Sequence, residues 1–334
     1  MSVWHRVAAL VFAFALAPLT AGSTGTPAEE IVVSRLALGT LVSVVLRDPD
    51  PERGRAAIEK AFTEIERLEA LLSEWRPESE VSRLNARAGG PLEPASQETL
   101  EMLERARDLA RRSGGAFDPT VLPALRLFGF SGGPPRLATD SELDAVREAV
   151  GWEAIEVDPG SNRARLARQG AEFGTGAIGK GFIADRIAAL LEREGVPAAM
   201  VRASGDLAFY GGSKQRPWPI GIEDPDHPGE ILAEIDLVEG GVSTSAPTWR
   251  RFEASGIVVH HILDPRTLRP ARGVRSVTVV AKDATTSDAL STALFVLGAG
   301  ALDWLATNPD IEAVILFEDG RRTASRGLEV RWRD

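Results

Sequence analysis

No cysteine occurs among the 334 residues, which excludes a disulfide framework, a thiolate metal site and lipid attachment to an N-terminal cysteine. A positive charge surplus is missing too. The formal net charge is -10 with acids and bases interspersed, so the electrostatic footprint of a nucleic-acid binder is absent and a phosphate-bearing ligand needs local compensation, such as a metal ion. Long hydrophobic runs are also lacking: the apolar stretch 7–17 falls short of the roughly 20 residues that cross a bilayer core, which argues against an integral membrane protein. Histidine is scarce, with 4 in the chain, and two of them stand together as His260-His261.

What is present reads first as an export signal. Residues 1–21 combine a short start carrying His5 and Arg6, the apolar run, Pro18 and small residues around Ala21, the layout of a cleavable signal peptide. A Gly/Ser/Thr/Pro linker covers 22–30, and 31–334 is expected to form the folded part of an exported, periplasmic protein. With 44% hydrophobic and 26% charged residues, that part can bury a substantial core.

The pattern of that core is mixed. Val- and Leu-rich 31–47, interrupted by Gly39, reads as a strand or bent hairpin. Ile58, Phe62, Ile65, Leu68 and Leu72 recur at helical spacing over 51–72, which predicts a long helix. Ser96 can cap a helix that carries Leu100, Leu103 and Leu109 and stops at Gly114-Gly115, and Thr139 with Glu142 forms a capping-box pattern. Beyond Trp152, short Val/Ile segments at 199–201, 231–237, 257–263, 277–280 and 313–317 read as strands, interrupted by helices over about 179–193 and 284–297. Strands and helices in irregular order imply an α+β fold with mixed, largely antiparallel sheets flanked by helices rather than a doubly wound sheet.

Several turn-rich segments hold polar residues that folding alone does not require. In Leu38-Gly39-Thr40 a glycine permits close backbone approach, although a β-bulge explains it as well. Trp75, in a loop after the long helix, can stack on a flat heterocycle or plug the core where the helix ends. In Gly115-Ala116-Phe117-Asp118-Pro119, a helix C-cap accounts for the glycines and leaves Phe117 and Asp118 unexplained. The segment from Gly174 to Phe182 feeds a helix whose N-terminal amides could face a diphosphate, with Lys180 adding charge. It approaches the Walker A pattern, yet Gly181 stands where a Ser or Thr should bind magnesium, which weakens a triphosphatase reading. Asp288 and Thr292 lie four apart on one helix face, a hard-oxygen pair suited to magnesium. Asp288 is expected to point outward, where its loss costs the fold little. His261, before the turn Asp264-Pro265, can serve as a general base near neutral pH, and a buried structural histidine is the alternative.

Taken together, Gly39-Thr40, Trp75-Arg76-Pro77, the segment from Gly115 to Thr120, Gly179-Lys180-Gly181, Ser204-Gly205-Asp206, His261 through Thr267 and Asp288 through Gly298 resemble the ApbE family of FAD:protein FMN transferases. The resemblance implies FAD contacts at Leu38, Trp75, Ala116, Phe117, Asp118, Lys180 and Ile262, with Trp75 in place of a tyrosine. It also implies magnesium at Asp288, Thr292 and the Ala177 carbonyl region, and places His261 where the acceptor hydroxyl is activated. The implied reaction moves FMN from FAD to a Thr or Ser of a target protein and releases AMP. Gly174 stands where the family commonly has an acid, and Glu172 could restore it through a shifted loop. Leu38 replaces a frequent Met, and Ser245-Ala246-Pro247-Thr248 departs from a usual Ser-Gly-Asp. Two other readings remain: an FAD-binding protein without transfer, and an FAD pyrophosphatase that gives FMN and AMP.

Overall fold

The computed structural model describes residues 30–248, 250–254 and 256–333. The expected signal peptide over 1–21, and all of the linker except Glu30, lie outside the described residues.

The segment 31–47 is a hairpin. Strands Glu30–Ala37 and Thr40–Arg47 pair antiparallel about the two-residue turn Leu38-Gly39, in which both residues have positive φ, 55° and 69°. Such primed turns match the twist of the flanking strands. The hairpin starts an eight-stranded sheet that continues through Ala199–Ala203, Asp206–Tyr210, Gly240–Ser245, Val274–Ala281, Glu312–Phe317 and Arg322–Ala324, every adjacent pair antiparallel. Alternation along the strands sends Val201, Val277 and Val279 to one face and Met200, Phe209 and Val242 to the other. The second face is covered by a three-stranded sheet of Trp218–Glu223, Ile231–Leu237 and Arg331–Trp332.

The described helices are α1 (Pro51–Leu72), α2 (Glu80–Ala86), α3 (Gln97–Arg112), α4 (Leu122–Leu127), α5 (Asp140–Val146), α6 (Gly179–Arg193), α7 (Ala284–Leu297) and α8 (Ala301–Ala306). Of these, α1, α6 and α7 cover the first face, whereas α4 and α5 pack in a separate small core with Val259, Leu263 and Leu268. Helix α1 starts where the Asp50 carboxylate accepts from Glu52 and Arg53 N–H, with Pro51 in the first turn. Its Ile58, Phe62, Ile65, Leu68 and Leu72 are all buried, each worth roughly 1.5–3 kcal/mol relative to exposure. Ser96 caps α3, and Thr139 with Glu142 closes both halves of a capping box on α5. Residues 257–263 form two strands rather than one, Ile257–His260 and Leu263–Asp264. The chain changes pairing partner there: Ile257–His260 pairs with Arg251–Ala254, and Leu263–Asp264 with Arg269–Pro270.

Helix α7 packs on the sheet strands Gly240–Ser245 and Val274–Ala281, beside α6, which lies on Ala199–Ala203 and Asp206–Tyr210. Ala284–Ala306 is long and apolar enough to cross a membrane by composition, but half of it is buried inside the protein, as suits a central core helix. Two glycines allow the close fit. A Cβ on Gly181 of α6 would stand 2.3 Å from the Ala284 carbonyl oxygen, and one on Gly241 of the sheet 2.2 Å from Ala284 N. Gly181 therefore serves helix packing at the position where a Walker A motif has its hydroxyl. Gly181→Ala is expected to destabilise the fold by about 1–3 kcal/mol through overpacking, read as a lower midpoint in urea unfolding. An unchanged midpoint would contradict this contact.

Candidate active site

The site assembles where the first turns of α6 and α7 meet the turns of the main sheet. The tight turn Ser204-Gly205, with Ser204 at φ 60°, starts the strand Asp206–Tyr210 and fixes Asp206 at its head. There Asp206 Oδ2 lies 2.8 Å from Lys180 Nζ. Burial works to lower the Lys180 ammonium, but the Asp206 and Asp288 carboxylates outweigh it and hold the group charged, well above the usual lysine range.

Asp288 is buried, with 4% of its surface exposed, which overturns the expectation that it points outward. Helix α7 has little solvent-facing surface along this turn, because α6 and the sheet enclose it. Asp288 Oδ2 accepts the Gly181 N–H at 3.0 Å, so that amide of the α6 start is already engaged and is not free for a ligand, as the loop sequence suggests. Burial, and then the neighbouring Asp206, push the Asp288 carboxyl far above its ordinary range, with Lys180 opposing. Thr292, one turn further and half-buried, shares the Ser245 hydroxyl with Ser291, at 3.2 and 2.8 Å. Two buried aspartates facing a single lysine leave a negative surplus, and hydroxyls of Thr292, Ser291 and Ser245 stand beside them. This hard-oxygen set fits a magnesium ion. Among the described residues no group of three or more His, Asp or Glu could hold a metal.

His261 follows the strand Ile257–His260. Its N–H and its Nδ1 both face the Arg250 carbonyl at 3.3 Å, which assigns the proton to Nδ1 and leaves the Nε2 lone pair available. Burial, then the Arg250 and Lys180 cations, push the imidazole down to about 3. The adjacent His260 is structural: it is buried, its Nε2 lies 2.9 Å from the Ala271 carbonyl, and its ring meets Phe295 edge-on at 5.7 Å.

The remaining residues singled out from sequence divide in two. Trp75 is 58% exposed, so it does not plug the core. Leu38 is half-buried in its strained turn and its N–H donates to Glu69 at 3.2 Å. Ala177 is half-buried in the turn before α6. Ala116, Phe117, Asp118 and Ile262 are buried, and the fold accounts for two of them. Phe117 is 1% exposed in the main core. Asp118 closes a turn by accepting from Thr120 N and Oγ1 at 2.8 and 2.6 Å and ties in Trp152 N at 2.9 Å.

Sequence reasoning missed Glu74, Arg250 and Asp185. Glu74, raised by burial, accepts from the N–H and hydroxyl of Thr175, and its Oε2 stands 3.4 Å from where a Gly174 Cβ would be. The acid at the Gly174 turn is therefore Glu74. Glu172 turns away to Arg126, at 2.6 Å, and both line a cavity of about 270 Å³ with Glu74. The signal for Glu74 was its place beside Trp75, two residues past the end of α1.

Comparison with known proteins fixes the lineage. The model of the ApbE family matches residues 38–315. The chain belongs to the ApbE family. An FAD:protein FMN transferase of Treponema pallidum is 34% identical, covering 93% of this chain and 92% of that one. Another of that name, from Salmonella typhimurium, is 28% identical over 89% and 87%. The crystal structure of the ApbE protein of Thermotoga maritima superposes with a TM-score of 0.81 at 31% identity, covering 90% of this chain and 98% of that one. The flavinyl transferase ApbE of Pseudomonas stutzeri gives 0.79 at 27%, over 89% and 95%. This ApbE chain shares with them the antiparallel sheets and flanking helices described above.

The electrostatics make a direct prediction. An imidazole that titrates near 3 is neutral throughout pH 5–8, so the His261 ring resonances in NMR spectra of labelled protein should stay flat over that range. His227, raised by the Asp224 carboxylate, should titrate above 6.5. The unfolded His261 binds a proton near pH 6.5 and the folded one does not, so this group's contribution to stability is present above 6.5 and is lost as pH falls toward 3. A His261 titration near 6.5 would contradict the geometry.

Proposed function

We propose that this chain is an FAD:protein FMN transferase, exported to the periplasm, that moves FMN from FAD to a Thr or Ser hydroxyl of a target protein and releases AMP. The observation that carries the reading is the convergence of half-buried Lys180, buried Asp288 and a neutral His261 on one charge-rich corner of an ApbE fold. FAD would lie along Leu38, Trp75, the 116–118 turn and Ile262. The exposed Trp75 indole offers a stacking face, whereas Phe117, whose ring is in the core, would contribute main chain.

In the reaction an acceptor oxygen attacks the FMN phosphorus. A new P–O bond forms, the bridging P–O bond of the diphosphate breaks, and AMP leaves with the bond's electron pair. His261 Nε2 takes the hydroxyl proton while Nδ1–H holds the ring on the Arg250 carbonyl. Lys180 and Arg250, which depress this imidazole in the free protein, face the diphosphate charge once FAD binds. That charge offsets theirs and makes His261 a stronger base when substrate is present. Asp288, Thr292 and the Ala177 carbonyl would hold magnesium, which supplies neutralisation of charge on the diphosphate when bound.

The test combines the purified protein with FAD, magnesium and a candidate acceptor protein, read by in-gel flavin fluorescence and by the acceptor's mass. An FMN-mass increment with AMP release is expected, and FMN freed without acceptor measures the pyrophosphatase reading. His261→Ala should lower transfer by about 10²–10⁴-fold while FAD still binds. Asp288→Asn should abolish metal-dependent transfer, and, since Asp288 is buried, should also alter stability measurably. Wild-type protein that transfers nothing under any divalent metal, or full transfer by His261→Ala, would refute the assignment.

A further inference from the structure

The first amides of a helix have no partner within it, and those of Ala284, Thr285 and Thr286 in α7 all find a carboxylate. Thr286 N–H donates to the Asp283 carboxylate at 2.7 Å and Ser287 N–H to the Asp283 carbonyl at 3.2 Å. Ala284 and Thr285 N–H both donate, at 2.8 Å, to Asp185, which also accepts the Thr285 hydroxyl at 2.5 Å. Asp185 belongs to α6. In the opposite direction, Asp288 of α7 accepts Gly181 N–H from the first turn of α6. Each helix thus begins on a carboxylate lent by the other.

We propose that Asp185 is a positioning residue for the metal site. It touches neither cation nor substrate, and it sets the axial placement of α7, and so of Asp288 and Thr292, against the α6 turn that carries Lys180. The proposal rests on the magnesium reading given above. At about 1.5 Å of rise per residue, Asp288 stands roughly one turn and Thr292 roughly two turns beyond Ala284, so a slide at the start of α7 reaches both undiminished. Magnesium demands oxygens at about 2.0–2.1 Å in near-octahedral array, and sites of this kind tolerate misplacement of only about 0.5 Å. The Gly181 contact blocks closer approach, since the Ala284 carbonyl leaves no room for even a Cβ. Asp185 supplies the restraint against movement apart.

A purely structural cap would act differently, and the same helix offers a control. Arg105 of α3 holds the Asp283 carboxylate at 2.8 and 2.9 Å and the Thr286 hydroxyl at 2.8 Å, so Arg105→Gln loosens the start of α7 from α3 and leaves the hydrogen bonds to Asp185 in place. Mn²⁺ alone is titrated into each protein with free Mn²⁺ read by electron paramagnetic resonance, and thermal unfolding is followed by calorimetry. Asp185→Asn is expected to weaken Mn²⁺ binding by about tenfold, with lost transfer activity recovered at high magnesium. Arg105→Gln is expected to lower the melting temperature while its Mn²⁺ affinity stays within about twofold of wild type. If Asp185→Asn does not fold, Asp185→Glu, which keeps the charge and adds a methylene, carries the same expectation. Mn²⁺ affinity unchanged at position 185, or weakened equally by Arg105→Gln, overturns the proposal. Wild-type protein that binds no Mn²⁺ overturns the magnesium reading with it, so the two failures are told apart.

Discussion

The reciprocal capping of α6 and α7 is the constraint from which the rest of the site follows. Two helix starts, each with unpaired amides, are pressed together and satisfied by carboxylates crossing between them, Asp185 in one direction and Asp288 in the other. The approach is close enough to require Gly181 and Gly241. It brings Asp288 into the interior, and a buried carboxylate demands compensation. Lys180, one residue before Gly181, supplies part of it, and Asp206 on the adjacent sheet turn holds that lysine in place.

The electrostatic character of the corner is thus a product of packing. Acidic side chains exceed bases around Asp288, while His261, flanked by Lys180 and Arg250, is kept neutral. Regions of opposite bias lie side by side, one suited to a divalent cation and the other to the anionic diphosphate that accompanies it. In a protein of net charge -10, such local segregation is what permits a phosphate-bearing substrate to approach at all.

Much of this was legible from residues alone, and the limits have physical reasons. Helix α1 was readable because its apolar period is uninterrupted for 22 residues and Asp50-Pro51 marks its start. The hairpin turn at Leu38-Gly39, the caps at Ser96 and Thr139 and both core helices follow from local rules of the same sort. What local rules do not reach is contact between distant segments. The burial of Asp288 depends on α6, about a hundred residues earlier, and helical periodicity could not show it because α7 is buried around most of its circumference, its polar residues included. The break at His261-Ile262 was hidden in a continuous apolar stretch, since strand partners, and not propensity, decide where pairing changes. Phe117 and Asp118 looked surplus to folding because their partners, the core and Trp152, lie elsewhere in the chain.

Glu74 carries a lesson for comparing relatives. Its carboxylate reaches the Thr175 amide from the end of α1, so the acid that seems missing at Gly174 is contributed by a segment about a hundred positions upstream. A comparison confined to position 174 finds no acid there, although the Glu74 carboxylate stands against that turn.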